Sequence, residues 1–235
     1  MIDAALYLIP VPLSDVRPDA VLPAPNLAIV REIKHFVVEN LRSARRFLKA
    51  CDPAINIDEL SFAELNRHTP PERIDTLLKP LIDGSPLGVI SEAGCPAIAD
   101  PGADLVDLAQ RRRLRVIPLV GPSSILMGLM ASGFNGQSFA FNGYLPIDAR
   151  ERQATLQQLQ RRITHEHQTQ IFIETPYRNR ALATELIQRL PPALRLCIAT
   201  DITGPDERIT TRSIAQWRQQ PPQLDKIPTI FLLYK

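Results

Sequence analysis

The sequence VISEAGCPAIADPG, residues 89–102, contains the sharpest change of pattern in the chain. A short apolar run over residues 87–90 stops at Ser91, and a helical pattern begins at Ala103. Two glycines, two prolines and several small residues lie between them, which predicts a strand end, a tight loop and a helix start. In an open α/β sheet, a loop at the carboxyl end of a strand is where ligands bind. The alternative is an ordinary connection between a strand and a helix.

Strand and helix patterns alternate on both sides of this loop. Residues 27–50 have a helical period with an apolar stripe that includes Phe36 and Leu48, and residues 58–66 are ambiguous. The other elements predicted before residue 135 are strands at 4–9, 87–90 and 115–120 and helices at 71–82, 103–113 and 124–131. The last of these helices is apolar nearly all round, so we expect it to be buried. This order predicts a mostly parallel sheet with flanking helices.

The pattern changes after Phe134, where strands follow one another with short connections. The predicted strands are 138–144, 169–174, 194–200, 209–213 and 229–234, and the predicted helices are 150–165, 179–190 and 214–218. Such an order is typical of a mixed or antiparallel sheet with helices. The chain is therefore expected to be an α/β protein of two domains, 1–135 with a mostly parallel sheet and 136–235 with a mixed sheet.

Composition points to a globular protein of the cytoplasm. The chain has 45% hydrophobic and 22% charged residues, and no stretch of the sequence is apolar enough to span a membrane. The N-terminal residues have no basic region of the kind that begins a signal peptide. The three cysteines, Cys51, Cys95 and Cys197, are far apart, so the sequence suggests neither a zinc site nor a disulfide framework.

Positive charge is concentrated although the net charge is only +2. One cluster lies within residues 31–49 and includes Arg42, Arg45 and Arg46, and a second is the run 111–113. Each cluster is either a solvated helix face or a patch that contacts phosphates. The weak net charge alone does not indicate a nucleic-acid-binding protein.

Several common sites are disfavoured by the absence of their motifs. The sequence has no GxSxG frame, no GxGxxG and no GxxxxGK[ST], which disfavours a hydrolase triad, a Rossmann dinucleotide site and a P-loop. Asp100, Asp104 and Asp107 are better explained as the start of a helix than as metal ligands, so no metal is expected. What remains is a set of loops rich in Gly, Pro, Ser and Thr at predicted strand ends: 10–13, 91–96, 121–124, 174–179 and 200–204. Such loops suit a polar, zwitterionic small molecule held by the main chain.

A family resemblance rests on five motifs in a fixed order: SEAGCPAIADPGADLV, PLVGPSS, SGF, FNGYLP and IFIETPYRN. In this order and spacing the chain resembles the tetrapyrrole methylase superfamily of S-adenosylmethionine-dependent methyltransferases. It is most similar to the branch that methylates a ribose 2′-hydroxyl in small-subunit ribosomal RNA. The resemblance covers about residues 85–200, and residues 39–49 and 66–68 also fit it.

Four features depart from the family pattern. The loop after the first predicted strand, Pro10 to Pro12, has no glycine, which is typical of the ribosomal branch rather than of the porphyrin-ring enzymes. Glu92 stands where that branch has an aspartate, and Tyr177 where it has a histidine. The insert at 14–25 matches neither group. These departures leave open the alternative of a distinct subfamily with another acceptor.

The resemblance implies two α/β domains with S-adenosyl-L-methionine in the cleft between them, and a homodimer. The first domain would contact the cofactor through Leu13, Ser91, Ala93, Gly94, Cys95, Ile98, Ser123 and Ser124. The second domain would contribute Ile173, Glu174, Ala199, Thr200, Pro228 and Thr229. For Ile98, Ile173 and Ala199, plain core packing is an equally good interpretation.

The acceptor chemistry follows from the implied reaction. A ribose hydroxyl has a high pKa and needs a base or a strengthening hydrogen bond as its proton leaves, and the candidates for the catalytic group are Glu92, Glu174 and Glu39. Their alternative roles are helix capping or ion pairing with a neighbouring arginine. Substrate phosphates would be held by arginines beside an aromatic residue: Arg42, Arg45, Arg46, Arg178 and Tyr177. The alternative functions are methylation of a tetrapyrrole or other small molecule and cofactor binding without catalysis.

Overall fold

The computed structural model describes residues 2–66 and 68–235. Arg67, part of the family resemblance at 66–68, lies outside the described residues. The chain forms two compact units, the first reaching to Ser123 and the second running from Ser124 to Lys235. This division falls one helix before the boundary that the sequence suggested, because the apolar helix after Ser123 belongs to the second unit.

The first unit is built on a five-stranded, all-parallel sheet. Its strands in chain order are β1 (Leu6–Ile9), β2 (His35–Val38), β3 (Ser61–Glu64), β4 (Leu87–Ile90) and β5 (Val116–Pro118). They lie in the order β3-β2-β4-β1-β5. The helices are α1 (Ala24–Glu32), α2 (Leu41–Cys51), α3 (Pro71–Leu77), α4 (Lys79–Ile82) and α5 (Gly102–Arg111), with short 3-10 helices at Pro18–Ala20 and Ile57–Glu59. This confirms the predicted parallel α/β fold, with β4 at the centre between β2 and β1.

The prediction of one helix over residues 27–50 was wrong. Strand β2 interrupts it and lies between β3 and β4, where Phe36 and Val37 are buried. The run HFVV can satisfy either a helical or an extended pattern, and the tertiary pairing with two neighbouring strands selects the extended one. A new helix then starts at α2, because the Asn40 side chain accepts hydrogen bonds from the Arg42 N–H at 2.9 Å and the Ser43 N–H at 3.2 Å.

Two further details of the first unit were not foreseen. The helix predicted at 71–82 is divided into α3 and α4 around Leu78, because Pro80 has no N–H with which to continue the helical bonding. The ambiguous segment 58–66 contains strand β3, which pairs with β2 in parallel.

The second unit contains a mixed five-stranded sheet. Its strands are β6 (Phe139–Tyr144), β7 (Thr169–Ile173), β8 (Arg195–Thr200), β9 (Arg208–Ser213) and β10 (Thr229–Tyr234), in the order β6-β7-β10-β8-β9. Its helices are α6 (Ser124–Ser132), α7 (Ala149–Glu166), α8 (Asn179–Arg189) and α9 (Ile214–Gln219). Only β6 and β7 pair in parallel, which confirms the predicted mixed sheet.

Helix α6 is not buried all round, contrary to the prediction from its apolar sequence. Gly128, Leu129 and Ser132 are buried, whereas Leu126 is 51% and Met130 is 82% exposed. Gly128 lets the helix approach the sheet closely, since a Cβ there would lie 3.3 Å from Ile230 Cγ2 and from Leu232 Cδ1. The helix therefore has one packed face and one exposed apolar face.

Among the described residues, no helix is both long enough and apolar enough to cross a membrane.

Candidate functional site

The loops that follow β1 and β4 are joined by their main chains. The Val11 N–H donates to the Gly94 carbonyl at 2.9 Å, and the Gly94 N–H donates back to the Val11 carbonyl at 3.2 Å. Gly94 has a φ of 70°, and a Cβ there would lie 3.0 Å from Leu13 Cδ2. Only glycine fits this position without strain, so the structure places the predicted residues Leu13 and Gly94 in one tight cradle.

A third loop, at the end of the first unit, joins these two. The Cys95 Sγ lies 3.4 Å from the Pro122 carbonyl oxygen and donates a hydrogen bond to it. Burial raises the pKa of the Cys95 thiol, which keeps it protonated as that bond requires. Ser123 follows directly and ends the first unit, whereas Ser124 begins α6 in the second unit. The two predicted serines therefore belong to different units.

The remainder of the 89–102 stretch is held in an unusual backbone shape by one carboxylate. Ala97 and Ala99 have left-handed φ values of 66° and 62°, which are strained for residues with a Cβ. Asp100 Oδ1 accepts hydrogen bonds from the Ala97 N–H at 3.0 Å and the Gly102 N–H at 2.7 Å. Ile98, between the two strained alanines, is 52% exposed, so it does not serve as core packing.

Two polar atoms of this loop are buried without a hydrogen-bond partner: Ser91 Oγ and Asp100 Oδ2. Both residues line a small cavity between the ends of β2 and β4, together with Glu39 and Gly102. Burial raises the pKa of the Asp100 carboxyl and also that of Glu39. This cavity measures about 10 Å³, which is room for about one water molecule that could bond to these oxygens. The main-chain N–H and carbonyl groups of the cradle at Val11 and Gly94 are what suit the zwitterionic cofactor that the resemblance implies.

The three candidate bases have different surroundings. Glu92 is exposed, and its Oε1 accepts a short hydrogen bond from the Ser43 hydroxyl at the start of α2. Glu39 is half-buried, and its Oε2 accepts the Glu92 N–H at 3.2 Å. Glu174 has only 8% of its side chain exposed and is ion-paired with Arg178, at 2.7 Å between Oε1 and Nη2. Glu92 is the carboxylate of the three that remains accessible.

The arginines predicted to bind phosphates lie on one exposed face of α2. Arg42, Arg45 and Arg46 are all exposed, while Ala44, Phe47 and Leu48 form the buried face. At 3.6 residues per turn the three arginines and Lys49 share one side of the helix. Arg45 lies over the Phe62 ring, 5.5 Å from its centroid. By contrast, Arg111 and Arg112 in the other basic run are ion-paired with Asp107 and Asp75.

The predicted cofactor residues of the second unit lie at the same end of three neighbouring strands of its sheet. Ile173 ends β7, Ala199 and Thr200 end β8, and Thr229 begins β10. Thr200 is directly paired with Thr229, and Ala199 and Ile173 both pair with Ile230.

These residues do not all present their side chains to the same face. Neighbouring residues in a strand point to opposite sides, so Ala199 and Thr200 diverge. Ala199 faces α6, 4.0 Å from the position of a Cβ on Gly128. The Thr200 hydroxyl donates to the Arg208 carbonyl at 3.2 Å. These predicted cofactor residues therefore lie at one end of the strands, but their side chains are on two different faces of the sheet.

The predicted substrate residues of the second unit differ in exposure. Tyr177 is 80% exposed, with the Lys226 ammonium 5.8 Å from its ring centroid. Arg178 donates from Nε and Nη2 to the single oxygen Oε1 of Glu174, at 3.0 and 2.7 Å. The ion-pair alternative for Glu174 therefore describes this corner better than the catalytic one.

From the sequence, Asp100 was expected to shape this loop and the start of the helix, and its two main-chain hydrogen bonds show how it does so. The available signal was its position two residues before Gly102 in a loop of small residues, since Asp side chains commonly accept the N–H two residues on. The half-buried Glu39 was foreseen only as a candidate base, and its hydrogen bond to the main chain of Glu92 depends on the pairing of β2 with β4.

Sequence relatives place the chain in a known group. It is 34% identical over 182 residues to ribosomal RNA small subunit methyltransferase I of Streptococcus pyogenes, covering 77% of this chain and 59% of the relative. The Synechocystis protein of the same name is 31% identical, with 84% of this chain and 67% of the relative covered. The chain thus spans about three fifths of the length of the first of these relatives. No family model matches the sequence.

Solved structures show the same fold at low sequence identity. The methyltransferase CobJ superposes with a TM-score of 0.63 at 16% identity, covering 98% of this chain and 93% of the other. Uroporphyrin-III C-methyltransferase from Thermus thermophilus, complexed with S-adenyl homocysteine, gives a TM-score of 0.57 at 15% identity, covering 98% and 97% of the two chains. The fold is therefore the one that these solved methyltransferases have, and the sequence relatives show that the chain belongs to the ribosomal RNA small subunit methyltransferase I family.

Proposed function

We propose that this protein is an S-adenosylmethionine-dependent methyltransferase that methylates a ribose 2′-hydroxyl of small-subunit ribosomal RNA. The observation that carries the proposal is the main-chain cradle formed by Val11 and Gly94 at the carboxyl edge of the parallel sheet. Cradles of this kind hold ligands in open α/β sheets. The ribosomal RNA methyltransferases to which the chain is similar supply the acceptor class.

In the first unit, the cofactor would be held by the loops around Leu13, by residues 91–95 and by Ser123. Ile173, Ala199, Thr200 and Thr229 of the second unit are proposed contacts, of which the two threonines offer hydroxyl oxygens. When bound, S-adenosylmethionine supplies an activated methyl group. The contribution of the protein is to hold the acceptor oxygen in line and to exclude water.

Glu92 is the residue that we assign to the acceptor proton. Its carboxylate is exposed and directed by the Ser43 hydroxyl, while its main-chain N–H is fixed by Glu39. A positioned carboxylate of this kind can accept the proton of a hydroxyl as the oxygen bonds to carbon. Glu174 is proposed instead to fix Arg178, because its accepting oxygen is already engaged by the guanidinium.

The basic face of α2 is proposed to contact RNA phosphates. Arg42, Arg45 and Arg46 make no ion pair among the described residues, unlike the arginines at 111 and 112. Guanidinium groups bind phosphate oxygens through paired hydrogen bonds. Because Ser43 of the same helix holds Glu92, phosphate binding on α2 and proton transfer at Glu92 would be coupled through one rigid element.

A ribosomal RNA acceptor would place the protein in the cytoplasm, and the family resemblance implies that it works as a homodimer. Light scattering coupled to gel filtration tests the second point, with a mass near twice 26.3 kDa expected.

The proposal is tested by calorimetry with S-adenosylhomocysteine and by transfer of a labelled methyl group to small ribosomal subunits, followed by mass mapping of the methylated nucleotide. We expect cofactor binding and one labelled ribose. The variant R45Q/R46Q should bind the cofactor normally and RNA more weakly. The slope of log RNA affinity against log salt should fall by about 1.4, because two phosphate contacts are lost. The matched control is R161Q/R162Q, on the exposed side of α7. Unchanged RNA affinity in the α2 variant would contradict the assignment of this face.

A small-molecule acceptor is the second candidate, because the structural neighbour with the bound cofactor product is named for uroporphyrin-III. The labelled transfer assay, repeated with a uroporphyrinogen-type ring in place of ribosomal subunits, decides between the two acceptors. Methylation of the ring and not of ribosomal subunits would overturn the RNA proposal. Cofactor binding with no transfer to either acceptor would favour a binding protein without catalysis.

A further inference from the structure

The second unit has a cavity that shares only Thr200 with the proposed methyl-transfer site. It has a volume of about 420 Å³ and lies along strand β9 and the segment after α9. Its lining combines two arginines, two threonines and one tryptophan with an uncharged proline- and glutamine-rich segment: Arg208, Arg212, Thr200, Thr210, Trp217 and residues 220–223. None of the described residues that line it is acidic.

Strand β9 places both arginines on the same side. Arg208, Thr210 and Arg212 alternate along the strand, so their side chains leave one face of the sheet. The intervening Thr211 faces the other way, since its hydroxyl donates to the Ser132 carbonyl at 2.8 Å. Four residues of extended chain separate the two arginine Cα atoms by about 13 Å. This spacing lets the two guanidinium groups contact separate phosphates of an extended polyanion.

The orientation of the Arg212 guanidinium is fixed by two neighbouring side chains. It lies 5.0 Å from the centroid of the Trp217 ring and donates from Nη1 to the Gln220 Oε1 at 2.8 Å. The ring is itself fixed, because the Trp217 Nε1–H donates to the Leu196 carbonyl at 2.9 Å. A guanidinium has five N–H groups, so most of its donors remain for an anion. Neither Arg208 nor Arg212 has an ion pair among the described residues.

Among the described residues, the carboxylates nearest in sequence form no ion pair with these arginines. The Asp201 Oδ2 accepts the Asp206 N–H at 2.9 Å, and the Glu207 Oε2 accepts the Thr203 N–H at 2.7 Å. Both are thus engaged within the loop between β8 and β9. Strand β9 is also an edge strand, which leaves main-chain N–H groups free to reach phosphate oxygens.

We infer that this cavity is a second RNA-binding site, at which Arg208 and Arg212 bind successive backbone phosphates of the substrate strand. The inference rests on the proposed RNA substrate and deepens it by naming a contact far along the chain from α2. Arginine is suited to phosphate because its planar fork matches two phosphate oxygens at once. Hydroxyls such as that of Thr210 commonly complete such contacts.

The test uses a fluorescein-labelled, single-stranded RNA of about 20 nucleotides and the full chain. We expect R208Q/R212Q to bind the RNA about tenfold more weakly and to lower the slope of log affinity against log salt by about 1.4. R161Q/R162Q removes the same charge from α7 in the same unit and should stay within about twofold of the wild type. Equal loss in both variants, or no loss in R208Q/R212Q, would overturn the inference.

Two additional measurements keep the result independent of folding and of catalysis. R208Q alone removes an exposed side chain with no ion pair, so it should fold normally and still lower the slope by about 0.7. Trp217 is the one tryptophan of the sequence, so its emission should change when RNA binds the wild type and should not change in R208Q/R212Q. If polyglutamate competed as well as RNA, the cavity would be a site for any polyanion, and the inference of an RNA-binding site would be overturned. If methyl transfer fails while these RNA effects persist, the proposed activity fails and this inference survives.

Discussion

The loops that follow β4 and β7 both place carboxylates at the end of a strand, yet they hold them in different ways. After β4, Asp100 is fixed by two main-chain N–H groups of its own loop. After β7, Glu174 is fixed by the Arg178 guanidinium and by the Thr175 N–H at 2.7 Å. The first arrangement uses the carboxylate to impose a backbone shape, and the second uses it to fix a neighbouring side chain.

This difference has a consequence for chemistry. Because Asp100 and Glu39 provide the internal bonds of the first loop, Glu92 is left exposed with a single hydroxyl partner. In the second loop no carboxylate is left over, since Glu174 is both nearly buried and ion-paired. We therefore expect the two loops to respond differently to the loss of a negative charge.

The sharpest comparison is E92Q against E174Q. E92Q should lower kcat for methyl transfer by about 100-fold while leaving cofactor affinity unchanged, because the amide cannot accept the acceptor proton. E174Q should lower the free energy of unfolding by about 2 kcal/mol, since it weakens charge-assisted hydrogen bonds to Arg178, with kcat of the folded protein near normal. Labelled methyl transfer and urea denaturation measure the two effects. If E174Q lost kcat and E92Q did not, the two roles would be reversed.

The next largest effect is expected at Asp100. D100A leaves the Ala97 and Gly102 N–H groups without their acceptor and should lower the free energy of unfolding by about 2 kcal/mol. D100N keeps an oxygen in the same place and should retain most of that stability. Urea unfolding of both variants, with Trp217 fluorescence as the signal, checks the contrast. Equal loss in the two variants would show that the carboxylate charge, and not the shared oxygen, holds the loop.

A smaller effect is expected at Gly94. G94A adds a Cβ about 3.0 Å from Leu13 Cδ2 at a φ of 70°, so cofactor affinity measured by calorimetry should fall by about tenfold, equivalent to about 1.4 kcal/mol. G84A is the matched control, because Gly84 also has a positive φ, 88°, but nothing within 4 Å of its Cβ position. It should cost stability and leave cofactor affinity intact. Similar cofactor affinities for G94A and the wild type would show that the cradle is not part of the cofactor-binding site.

The smallest effect concerns pH. Burial raises the pKa of Asp100 in the folded state above its ordinary value of 3.8, so the folded protein holds that proton more tightly than the unfolded chain. The corresponding stability is complete below the unfolded pKa and is lost as the pH rises through the folded pKa. The unfolding free energy of D100N minus that of the wild type should therefore increase as the pH rises from about 4. A difference that stays constant with pH would show that Asp100 titrates normally.

The elements of the second unit were predictable because their signals are local. The apolar run in residues 229–234, the capping residue Ser213 and the stripe of Leu156, Leu159 and Ile163 each lie within a single element. Period and capping are properties of neighbouring residues, so no knowledge of the tertiary structure was needed.

The failures occurred where the deciding contacts come from elsewhere in the chain. Residues 35–38 are extended because β3 and β4 pair with them on both sides. The exposure of Leu126 and Met130 depends on which face of α6 the sheet covers. A pattern of apolar residues reports that burial is possible and does not report which neighbours are present.

The same distinction applies to the stretch 89–102. Its glycines, prolines and small residues were sufficient to predict a loop at the carboxyl end of a strand, because these residues restrict the backbone locally. The meeting of Gly94 with Val11, the hydrogen bond from Cys95 to Pro122 and the link between Glu92 and Ser43 join residues 27 to 83 positions apart. Those contacts form only when the parallel sheet brings its strand ends to one edge, so they follow from tertiary structure.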